Sequence, residues 1–184
     1  MAQGHGMISV IESVRRWVLA IAILVAAGAM TTGIPGVHAA AHSVEFTIVA
    51  GKGPSGGGSL DFNGCQRGAM TITVPAGWEV VVHFENADAA LPHSVAVLPA
   101  GAHQQVQPSS TPAFPGATTA NFAAGFPKGG KQTFTFEAGK AGTYEFLCGV
   151  PGHAVAGAWD SFVVSATADA PSVTPQGAAA ITVK

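Results

Sequence analysis

Apolar and polar residues alternate in several short runs along this chain, with the two-residue period of a β-strand buried on one face. From Ser43 to Ala50, apolar Val44, Phe46 and Ile48 alternate with Ser43, Glu45 and Thr47. Ala69 to Val74 reads as a short strand ended by the turn Pro75-Ala76-Gly77. Trp78 to Phe84 puts Trp78, Val80, Val82 and Phe84 on one face and Glu79, Val81 and His83 on the other. Further strands are predicted over Ser94 to Leu98, Lys131 to Glu137, Tyr144 to Cys148, and Trp159 to Ser165. In the run that ends at Cys148, Tyr144, Phe146 and Cys148 share a face, which aims the thiol inward beside two aromatics.

Three stretches lack this period. Gly51 to Ser59 is a Gly/Ser-rich loop without core potential, and residues 99–130 read as a long excursion with one short helix. Residues 166–184 read as a flexible C-terminal tail in which Ile181 to Val183 offers an edge strand. About seven strands separated by Gly/Pro turns predict an all-β fold, a Greek-key β-sandwich. Such a sandwich gathers its loops at two ends, so the loop of His93 and the loop of Cys148 and His153 can meet.

Composition narrows the possibilities. With 184 residues and 48% of them hydrophobic, the chain can bury one substantial core, placed here over residues 43–165. Charged residues make up only 10% and the net charge is −2, so there is no basic patch to bind nucleic acid. Arg15 and Arg16 precede an apolar run from Trp17 to Met30, and Val37-His38-Ala39 offers an A-x-A-like cleavage site. This predicts a signal peptide over residues 1–39 and a periplasmic or other extracytoplasmic destination. Membrane anchoring by an uncleaved signal is the alternative, but the run is shorter than the roughly 20 residues a spanning helix needs. The paired arginines leave the general secretory and twin-arginine routes both open.

Export would let Cys65 and Cys148 form a disulfide. The surroundings of Cys148 argue for different chemistry. Gly142-Thr143-Tyr144-Glu145-Phe146-Leu147-Cys148 runs into Gly149-Val150-Pro151-Gly152-His153, so a histidine follows the cysteine by five positions across a tight loop. Leu91-Pro92-His93-Ser94 supplies a second histidine from another loop. A soft thiolate and two imidazoles form the trigonal set that holds copper in blue electron-transfer sites. Zinc is a competing metal, since the same donors with water can hold it. A nucleophilic-enzyme reading of Cys148 fails, because no helix start or recognisable nucleophile motif follows it. The other histidines are poor ligand candidates: His83 lies on a polar strand face and His103 in the irregular excursion. Met70 reads as core, and Cys65, after Asn63-Gly64 in a turn, as a free thiol.

Three blocks of sequence then carry a resemblance. They are Phe62-Asn63-Gly64; Val74-Pro75-Ala76-Gly77-Trp78 with Asn86 and Leu91-Pro92-His93-Ser94; and Cys148 to His153 continuing through Gly157 to Trp159-Asp160. Over residues 44–165 the chain resembles the cupredoxins, most of all the sulfocyanins and more distantly the rusticyanins. The resemblance implies one type 1 copper ion held by His93, Cys148 and His153. It places the usual axial methionine at position 158, where this chain has Ala158, which is not a ligand. It further implies a monomer, not an enzyme, that carries single electrons between redox partners of a respiratory chain. Those partners, of cytochrome or oxidase type and some of them membrane-associated, would dock near His153. The alternative function is a copper carrier or ligand-binding copper protein with an open axial position. Ser94 either bonds near the thiolate or is an ordinary loop serine, and Asn86 either ties the loop before His93 to the opposite loop or is a simple turn residue.

Overall fold

The protein, seen in a computed structural model, is described over residues 42–53, 59–175 and 177–184; the predicted signal over 1–39 lies outside the described residues. Nine strands follow one another: β1 (Ser43–Ala50), β2 (Thr71–Pro75), β3 (Glu79–Asn86), β4 (Ala96–Pro99), β5 (Lys131–Glu137), β6 (Gly142–Leu147), β7 (Trp159–Ser165), β8 (Ser172–Thr174) and β9 (Ile181–Val183). One sheet has the order β5-β3-β1-β9 and the other β4-β6-β7-β2-β8. After β1 the chain crosses to the second sheet as β2 and returns as β3. This is why β1 and β3 pair parallel, with Val44 opposite Val80 and Ile48 opposite Phe84. In the second sheet β2 likewise runs parallel to β7.

The alternation read from sequence has a direct physical counterpart. Val44, Phe46 and Ile48 of β1 and Val80, Val82 and Phe84 of β3 are buried in one cluster with Ile72, Val74, Phe146 and Phe162 of the facing sheet. Phe162 meets Phe146 edge-on at a ring separation of 4.9 Å and Phe136 at 5.8 Å, so aromatic contacts from three strands lock the two layers together. The sandwich is all-β, as predicted.

Among the described residues there are nine strands where about seven were expected, and the two additional ones lie in the tail: β9 is the edge strand that Ile181 to Val183 offered, while β8 was not expected. Val173 of β8 lies opposite Ile72 of β2, and Ile181 of β9 opposite Phe46 of β1. Each strand covers a sheet edge whose backbone groups would otherwise lack partners. A three-residue strand such as Ser172–Thr174 is too short to show an alternating pattern, so composition alone misreads it.

Residues 99–130 are also more ordered than their composition suggests. Their short helix is the 3₁₀ turn Ala102–Gln104. Beyond it, Ala113 N donates to Val97 O (2.8 Å) and Thr119 N to Val95 O (2.9 Å), so the excursion returns alongside β4. Phe122 packs there with Ala96, Leu98, Leu147 and Ala154, forming a second small core on the outer face of the sheet. Both faces of β6 are therefore buried at its end, from Glu145 through Leu147.

Candidate metal centre

His93 lies just before β4, Cys148 just after β6, and His153 opens a single helical turn, α1 (His153–Ala156). Hydrogen bonds from neighbouring segments fix each one. His93 N donates to Phe126 O (3.0 Å) and Phe126 N to His93 O (2.6 Å), a two-bond bridge to the end of the excursion. Gly125 must come close here, since a Cβ at that position would lie 2.9 Å from His93 N and its φ is +71°. Cys148 N donates to Ala158 O (3.0 Å) and Ala158 N to His153 O (2.9 Å), which closes the segment from Cys148 to Ala158 into a compact loop. The turn into α1 depends on Gly152 at φ 83°, and His153 N donates to Val150 O (3.0 Å).

These restraints bring together one nitrogen of each histidine and the Cys148 sulfur, all within 4.8 Å of one another. His153 Nδ1 lies 3.6 Å from Cys148 Sγ. His93 Nδ1 is buried without a hydrogen-bond partner. The ring centroids of His93 and His153 are 5.1 Å apart. His93 and Cys148 are fully buried, and His153 is half-buried at the surface. Burial lowers the pKa of both histidines; for His93 the adjacent Asp88 opposes that shift, and for His153 the neighbouring His93 adds to it. Burial raises the Cys148 thiol, partly offset by hydrogen bonds from Ser94 and Val150. Two neutral imidazoles with free lone pairs and a thiol that yields its proton to a soft cation fit a copper ion.

Ser94 and Asn86, left open on sequence, both take the structural roles considered for them. Ser94 N donates toward Cys148 Sγ (3.4 Å), while its Oγ donates to Phe122 O (2.6 Å) and accepts from Gly149 N (3.0 Å). Asn86 Nδ2 donates to Leu91 O (2.9 Å) and to Phe126 O (2.7 Å), tying the His93 loop to the excursion. His83 and His103 stay away from the cluster. The first contacts Thr133 and Glu45; the second contacts Glu145 at 2.8 Å and stacks on Trp159. Met70 is wholly buried in the sandwich core, and Cys65 and Cys148 are both free thiols.

Sequence reasoning missed Asp88, whose Oδ2 lies 3.4 Å from His93 Nε2 with both side chains fully buried. The only signal would have been its position five residues before the histidine, and aspartates are common in turns for other reasons.

Two cross-braced sheets with a Cys/His/His cluster at one end define a cupredoxin. A sulfocyanin (SoxE) domain matches residues 35–174. Sulfocyanin of Sulfolobus acidocaldarius is 30% identical over 147 residues, covering 73% of this chain and 70% of that protein. Rusticyanin of Acidithiobacillus ferrooxidans is 34% identical over 100 residues, 51% of this chain and 59% of its own. A rusticyanin structure from Thiobacillus ferrooxidans superimposes with a TM-score of 0.52 at 26% identity, over 67% of this chain and 77% of that one. The chain belongs to the sulfocyanin family: it is a blue copper electron-transfer protein with a type 1 copper centre.

Proposed function

We propose that the copper is held by His93 Nδ1, Cys148 Sγ and His153 Nδ1, and that the protein carries single electrons between redox partners of a respiratory chain outside the cytoplasm. When bound, copper supplies a one-electron Cu(II)/Cu(I) couple. The observation that carries the reading is the convergence of the Cys148 sulfur and one nitrogen of each histidine within 4.8 Å on hydrogen-bonded loops. The loops need little rearrangement between oxidation states, because each is tied to a packed sandwich end through Phe126, Ala158 and Phe122.

The surface around His153 supports docking of a cytochrome- or oxidase-type partner there. Val155 and Val106 are exposed large apolar residues at 45% and 63%, and Gly152 N donates to Val106 O (2.7 Å), which joins their two loops. No charged residue lies between Cys148 and Ala158. One cation sits at the edge, where Arg67 Nη2 donates to Ala156 O (2.6 Å). A small, largely uncharged patch suits brief, weak encounters.

The deciding experiment takes copper-loaded protein purified from its source cells and reads its intact mass, visible spectrum and electron paramagnetic resonance. The mass should correspond to a chain that begins near Ala40. An intense thiolate-to-copper band should be present, lost in Cys148→Ser and kept in Cys65→Ser. A Cys65–Cys148 disulfide in metal-loaded protein, or bleaching by Cys65→Ser, would overturn the ligand assignment. Full-length chain in the membrane fraction would overturn the export proposal.

A further inference from the structure

Asp88 occupies a tight corner between the start of the Gly/Ser-rich loop and the turn that leads to His93. Its Oδ1 accepts from Ala90 N (2.7 Å) and Leu91 N (3.1 Å), and its Oδ2 from Ser59 N (2.9 Å). Its own N–H donates to Asn86 Oδ1 (2.9 Å). A Cβ at Gly51, whose φ is +68°, would overlap Cβ and the backbone of Asp88, so the Gly51 backbone packs directly against this residue. The side chain is fully buried, and His93 Nε2 is 3.4 Å from Oδ2.

From this arrangement we infer that Asp88 is a positioning residue for the metal centre: it holds the proton of His93 on Nε2, leaves Nδ1 bare toward Cys148 and His153, and lowers the reduction potential of bound copper. A neutral imidazole carries one N–H. Nδ1 is the buried ring nitrogen without a partner, and Nε2 is the one turned to Asp88, which leaves Nδ1 as the donor to the metal. Nε2 faces a carboxylate, which can only accept when ionised. The carboxylate itself accepts from backbone N–H groups of two segments, which fixes its direction. An anion hydrogen-bonded to the far nitrogen makes the imidazole a stronger donor, and a stronger donor favours Cu(II) over Cu(I). Gly51 and Ser59 thereby gain a role: the Gly51 backbone packs on Asp88 and Ser59 N helps to orient the acceptor.

The inference rests on the copper assignment above, so its test has one arm without metal. In copper-free parent protein, long-range proton–nitrogen correlation spectra should show His93 as the Nε2–H tautomer. An Nδ1–H tautomer there overturns the inference, whether or not any variant folds. In the copper-loaded protein, Asp88→Asn keeps the shape but loses the charge, whichever way the amide is turned. The visible band should persist, the reduction potential should rise, and the affinity for Cu(II) should fall by about tenfold to a hundredfold. A folded variant with an unchanged or lower potential overturns the inference. A parent without the visible band would instead overturn the copper assignment, and the metal-free tautomer would still decide the role of Asp88.

Discussion

Ala158 stands at the position where the resemblance implies an axial methionine. It is fully buried and packs in the same core cluster as Cys148, and its carbonyl accepts the Cys148 N–H at 3.0 Å. Val155 faces solvent at 45% exposure and does not shield this position. Shielding comes from the sandwich core itself, which encloses Ala158 completely. A thioether donates electron density and stabilises the oxidised ion, so alanine here should leave the potential high. We expect Ala158→Met to lower the potential while keeping the visible band, as read by protein-film voltammetry. A rise or no change would mean that position 158 does not face the metal. The three donor residues were legible by type and spacing, because a cysteine at a strand end with a histidine five positions later leaves few other chemistries. Asp88 was not legible, since its meaning depends on which ring nitrogen it meets.

Among the elements, the ligand loop and the excursion hold each other in place. The ring of Phe122, itself 7% exposed, lies where a Cβ at Gly149 would come within 2.5 Å of it. The Ser94 hydroxyl bridges the same two segments, bonding Phe122 O and Gly149 N. Gly149→Ala should therefore push a packed aromatic out of the small outer core and destabilise the protein by about 1–3 kcal/mol. Chemical denaturation of the metal-free protein measures this, and Phe122→Leu in the same chain should restore part of the loss. Equal stability of Gly149→Ala and parent would show that the excursion yields freely there. The alternating strands were legible because one buried face imposes a period of two. The excursion was not, because its order comes from backbone bonds to Val95 and Val97 that leave no periodic trace.

At the scale of the whole molecule, β7 is tied to the start of β2 by a buried carboxylate. Asp160 is fully buried; its Oδ1 accepts from Met70 N (2.9 Å) and its Oδ2 has no protein partner. Burial, with a smaller contribution from Asp61, pushes its pKa up to about 7, against the bond from Met70. A carboxyl raised in the folded state above its unfolded value of 3.8 takes up a proton on folding between those values. Its contribution to stability is complete below about pH 4 and is lost as pH rises toward 7, by about 4 kcal/mol at most. Asp160→Asn should flatten this slope in melting temperatures measured between pH 4 and pH 7. An unchanged slope would assign the dependence to other groups. What the sequence by itself determined is the set of seven main strands, the donor chemistry and the family, because period and residue type are local properties of the chain. Only the tertiary structure decided that Ser172–Thr174 closes the edge at β2, that Asp88 faces His93, and that Asp160 is sealed in the core. Each depends on pairing or burial between segments far apart in sequence, where desolvation and hydrogen-bond partners, not local pattern, set the outcome.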